Sequence, residues 1–79
     1  MQVSLDQILT RARQDHYAVG AFNVYNLEGS LAVVGAAEAL KSPVILQVLP
    51  SALAMGGNPL IALCRAGADT AKIPVAVHL

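Results

Sequence analysis

Asn23, Gln47 and His78 stand where three strands of a parallel α/β fold would end. In such folds ligands bind at the carboxyl ends of strands. Asn23 closes the stretch Tyr17-Ala-Val-Gly-Ala-Phe-Asn23, with Tyr25 and Asn26 in the turn behind it, and is the first candidate for touching a substrate. Ser51 and the run Gly56-Gly57-Asn58-Pro59 fall in the loop expected after the second strand. A glycine pair opening a helix can present amide hydrogens to an anion. The same pair also reads as plain turn chemistry. Spacing alone reaches a small-molecule site, with a phosphorylated ligand as the class the turn brings to mind.

The other reactive side chains have plainer readings. Zinc needs three or four ligands, and His78 is a lone histidine in a strand, so no metal is expected to bind this segment by itself. His16 falls in the connector at the starting end of the first strand, away from the mouth, and reads as solvent-facing. Lys41 and Lys72 sit at helix ends, where a cation suits the dipole, which leaves no Schiff-base candidate. Cys64 shares helical spacing with Leu60, Leu63 and Ala68 and reads as core filler. No Ser/His/Asp arrangement, P-loop or Gly-x-Gly-x-x-Gly is present. No catalytic or metal-ligating residue is therefore expected in this segment, and Asn23 is the substrate-binding candidate that position alone supplies.

The elements that must position these residues follow from periodicity. Ser4 and Gln7 make a capping box, and Leu5, Ile8, Leu9 and Ala12 form one apolar stripe, so a helix is expected to run to about Asp15. A short apolar strand follows over about Ala18–Asn23, with Val19, Ala21 and Asn23 on one side. Asn26 caps a second helix to about Leu40, with Glu28 in its first turn. Leu27, Leu31 and Val34 make one stripe of that helix and Val33, Ala37 and Leu40 another, so it is expected to be covered on several sides. Lys41 closes it and Pro43 forbids continuation. Val44–Val48 is a strand apolar on both faces, as in a buried parallel sheet. Pro50 and Ser51 are expected to open a loop with a short apolar turn at Ala52–Met55, and a third helix to start at Asn58 and Pro59. Pro74 stops that helix, and the last strand begins at Val75.

Helix, strand, helix, strand, helix, strand is the order of a parallel α/β fold, and a flavodoxin-like open sheet would also begin this way. Three strands neither cover both faces of a parallel sheet nor close a barrel, so an incomplete domain is expected over residues 1–79. The sequence is 56% hydrophobic and 13% charged with no net charge, too apolar for disorder and without a basic patch for nucleic acid. No apolar run reaches the ~18 residues of a membrane span. A single cysteine excludes an internal disulfide and suits a reducing compartment. With no signal peptide visible, the expected location is the cytoplasm.

Five blocks occur in register: Tyr17-Ala-Val-Gly-Ala-Phe-Asn23, Asn26-Leu-Glu28, Lys41-Ser-Pro-Val-Ile-Leu46, Met55-Gly-Gly57 and Ile73-Pro-Val-Ala-Val-His-Leu79. Together they resemble the amino-terminal part of the class II, zinc-dependent ketose-bisphosphate aldolases, a family that includes fructose- and tagatose-bisphosphate aldolases. The likeness covers essentially the whole chain. It implies a partial TIM (β/α)8 barrel, with an amino-terminal helix plus three parallel strands and intervening helices. It also implies cleavage of a ketose 1,6-bisphosphate to dihydroxyacetone phosphate and an aldehyde, zinc acting as Lewis acid in the full-length protein. The family's Asp-His-Gly motif, with the proton-shuttle aspartate and a zinc-binding histidine, would follow directly after Leu79. His78 matches the residue before that motif, which is not a ligand. Asn23 matches a substrate-contacting asparagine and Ser51 a phosphate-contacting serine, although the loop between Val48 and Gly56 differs in length from that of the fructose enzymes.

The resemblance makes residues 1–79 part of an enzyme of carbohydrate metabolism (glycolysis), inactive alone, whose full-length form is a homo-oligomer taking a small phosphosugar, with neither nucleic acid nor membrane as partner. Two other readings stand beside it: a non-catalytic assembly or interaction module, and a metal-free phosphosugar-binding α/β protein. Residues Asp-His immediately beyond Leu79 in the parent gene would separate the first from the others.

Overall fold

Each element starts or stops where its local chemistry dictates. A computed structural model, which describes Met1–Leu79, has α1 (Leu5–Asp15), β1 (Gly20–Asn23), α2 (Leu27–Ala39), β2 (Val44–Gln47), α3 (Pro50–Thr70) and β3 (Val75–His78). Ser4 caps α1 as expected: the Gln7 N–H donates to Ser4 Oγ at 3.1 Å, and the Ser4 N–H donates to Gln7 Oε1 at 3.0 Å. His16 ends the helix in the left-handed region, its side chain exposed. Asn26 caps α2 by accepting the Gly29 N–H at 2.8 Å.

The three strands are parallel in the order β1-β2-β3. Their rungs are Gly20–Val44–Val75, Ala21–Ile45–Ala76, Phe22–Leu46–Val77 and Asn23–Gln47–His78. Alternation splits these rungs between two faces. Val44, Leu46, Val48 and Val75 meet Val34 and Ala37 of α2 and Leu60, Cys64 and Ala68 of α3, forming the main core. Ile45 and Ala76 meet Ile8 of α1 on the opposite face, with Val3, Leu5 and Val19 packed around them. Hence α2 and α3 cover one face of the sheet, and α1 covers only the lower half of the other.

Three differences from the sequence reading have physical causes. Residues 50–56 are helical rather than looped. Leu49 occupies the cap position with Pro50 at the first turn, where its missing N–H costs nothing, and Ala52 is buried in the main core. The run breaks at Gly57, whose φ of 57° and ψ of −148° are open to glycine, and the helix resumes through Pro59. Second, α2 is not covered on several sides. Its buried residues are Ser30, Val34 and Ala37, while Leu27, Leu31 and Leu40 face outward. Ser30 is buried because α3 presents Gly67 to it: a Cβ there would stand 2.9 Å from Ser30 Oγ. Third, Met1–Val3 pair with the start of β3, the Val3 N–H donating to the Val75 carbonyl at 2.9 Å and the Val75 N–H to Met1 at 2.9 Å.

Candidate functional site

The top rung of the sheet gathers the strand-end polar residues. Asn23, Gln47 and His78 are register partners, so they lie side by side on one face, with strand neighbours about 4.8 Å apart. The rung is held beyond the strands themselves. The Val24 N–H donates to the Gln47 carbonyl at 2.9 Å, and the Val48 N–H donates to the His78 carbonyl at 2.9 Å. The face is the one that α1 covers lower down, so Ile45 and Ala76 are buried beneath the rung while Asn23 and His78 are exposed and Gln47 half-buried. A carboxamide at each of Asn23 and Gln47 offers both donors and acceptors, and the row can meet several oxygens of a small polar ligand at once.

Ser51 does not join this row. It stands exposed in the first turn of α3 and lines a separate depression of about 260 Å³ with Tyr25, Ala52, Met55 and Gly56. The pairing of Tyr25 with Ser51 had no signal in the sequence, because it depends on α3 starting at Pro50. The helix opening expected at Asn58 and Pro59 falls where the helix resumes after the break at Gly57, and a further helical stretch over residues 50–56 precedes it. The largest depression, about 360 Å³, lies elsewhere, along the outer edge of β1 against α2, where Phe22, Val33 and Leu40 line it. It lacks the converging polar groups of a ligand site and is the space beside an unpaired strand.

No three His, Cys, Asp or Glu side chains stand together so as to hold a metal ion. His16 is at the amino ends of the strands and His78 at their carboxyl ends, so this segment's own donors do not fit a zinc site. Cys64 is wholly buried in the main core, and that burial pushes its thiol pKa up. Arg11 is held in its charged form by its hydrogen bond to Asp15 at 2.7 Å, on an exposed face of α1 remote from the mouth. No helix is long and apolar enough to cross a membrane.

A family model described as "Fructose-bisphosphate aldolase class-II" matches residues 3–79. The chain belongs to this family. It is 48% identical over 73 residues to the fructose-bisphosphate aldolase of Thermus caldophilus, covering 92% of this chain and 24% of that protein. It is 42% identical over 81 residues to the fructose-bisphosphate aldolase of Geobacillus stearothermophilus, covering 98% and 28%. Among solved structures, the YdjI aldolase of Escherichia coli K12 superposes with a TM-score of 0.89 at 30% identity, covering 99% of this chain and 31% of that one. This class II aldolase segment thus spans about a quarter to a third of the length of the relatives it matches. Its helix and three parallel strands are part of a TIM-barrel type of fold, as the resemblance implies.

Proposed function

We propose that residues 1–79 are the amino-terminal part of a class II aldolase barrel that cleaves a ketose 1,6-bisphosphate to dihydroxyacetone phosphate and an aldehyde. The in-register row Asn23–Gln47–His78 at the carboxyl ends of three parallel strands carries this reading, because that is where a TIM barrel places its ligand. Asn23 contributes substrate binding from this row. Ser51, at the start of α3, contributes a phosphate contact from the rim. Zinc bound in the complete barrel would supply a Lewis acid for the substrate carbonyl; residues outside 1–79 would hold it and provide the shuttle aspartate. The segment alone is therefore inactive. The complete protein is a cytoplasmic homo-oligomer of carbohydrate metabolism that acts on a phosphosugar and engages neither nucleic acid nor membrane.

A chimera tests this. Residues 1–79 replace the matched segment of the Thermus caldophilus relative, and cleavage of fructose bisphosphate is followed with zinc present. The chimera is expected to turn over, and the isolated chain under the same conditions is not. A correctly folded chimera without activity, or turnover by the isolated chain, refutes the proposal.

A further inference from the structure

The turn behind Asn23 is anchored at both ends. Val24, immediately after it, is fully buried in the main core, and its N–H donates to the Gln47 carbonyl at 2.9 Å. Asn26, in extended backbone at φ −156° and ψ 178°, receives the Gly29 N–H on Oδ1 at 2.8 Å and the Ser30 N–H on its carbonyl at 3.2 Å. Gly29 leaves room for that carboxamide, since a Cβ there would come within 3.1 Å of Oδ1. Ser30 is in turn buried against Gly67 of α3, so the first turn of α2 has a fixed seat. Only Tyr25 between the anchors is free and exposed.

We propose that Asn26 is a positioning residue for Asn23: the cap it makes on α2 fixes the β1–α2 turn and, through it, the direction in which the Asn23 carboxamide faces the mouth. The inference rests on the reading of Asn23 as substrate-binding. Loss of a cap frees the first turn of a helix, and a displacement of about 1 Å at a binding group is enough to cost up to about a hundredfold in rate.

Ser4 supplies the control, because it caps α1 beside the start of β3, at the end of the sheet away from the mouth. In the chimera described above, Asn26→Ala is expected to raise KM for fructose bisphosphate about tenfold with kcat lowered less. Asn26→Ser keeps a capping oxygen and is expected to restore KM. Ser4→Ala loses a cap of the same kind and is expected to lower Tm with KM unchanged. Equal KM values for Asn26→Ala and Ser4→Ala overturn the inference, as does a failure of Asn26→Ser to restore KM. An Asn23→Ala chimera with unaltered KM and kcat brings down the reading of Asn23, and this inference with it.

Discussion

Asn23 is exposed and outside both apolar clusters, so its removal separates binding from stability. In the chimera, Asn23→Ala is expected to lower kcat/KM by about tenfold to a hundredfold, the loss of one hydrogen bond to a polar substrate. Thermal melting should be unmoved; a lowered midpoint with unaltered kcat/KM would give Asn23 a structural role instead. Cys64 is the opposite case, a residue that matters only to the fold. Burial raises its thiol pKa above the free value of 9.0, so the unfolded chain releases this proton at lower pH than the folded one. The stability it contributes is complete below that value and falls as pH rises through the folded pKa. Cys64→Ala should therefore be less stable than the parent by a margin that is widest near neutrality and narrows above pH 9.0, measured by urea unfolding across that range. A margin independent of pH would mean the thiolate is as well accommodated in the core as in water.

Between the helices, the contact of Ser30 with Gly67 sets how closely α2 approaches α3. Gly67→Ala gains helix propensity worth about 1 kcal/mol, yet its new Cβ would sit 2.9 Å from Ser30 Oγ. Overpacking of that kind costs about 1–3 kcal/mol. The crowding term should win in the parent and vanish when the hydroxyl is gone, so Gly67→Ala is expected to destabilise the parent and stabilise Ser30→Ala. A double-mutant cycle with the same sign in both backgrounds would locate the constraint elsewhere. This contact also marks where sequence reading stops. The caps at Ser4 and Asn26, the strand ends at Asn23 and Gln47 and the stops at Pro43 and Pro74 are local signals, and each was legible. The gathering of Asn23, Gln47 and His78 at one mouth followed from strand direction, whereas their shared rung depends on the register of the sheet. Burial of Ser30 and pairing of Met1–Val3 with Val75 are set by distant neighbours, and the helical course of residues 50–56 joins a local start at Pro50 to the burial of Ala52 in the main core. Ser51 stands in its own depression with Tyr25 because α3 starts at Pro50.

The molecule as a whole carries more surface than its mass accounts for. It exposes 5058 Å², against about 4,500 Å² for a compact monomer of 8.2 kDa. Much of the excess is apolar: Leu31, Leu40 and Met55 are 61%, 80% and 90% exposed, and an apolar depression runs along the outer edge of β1. Parallel strands alternate the side to which their backbone groups point, so with Val24 bonded to Gln47, the N–H and C=O of Ala21 and Asn23 face away from β2. An unpaired edge beside a greasy groove is a template for association, and 13% charged residues supply little repulsion to oppose it. The isolated chain is therefore expected to self-associate, with a mass by light scattering above 8.2 kDa and a melting temperature that depends on concentration. A concentration-independent melt at monomer mass would mean that three strands and their helices bury enough to stand alone. Leu31→Glu and Leu40→Lys leave the core untouched, since both side chains already face water. If the helix face is what sticks, the pair should shift the equilibrium toward monomer; if association is undiminished, it runs through the open strand edge, the side from which a barrel would be completed.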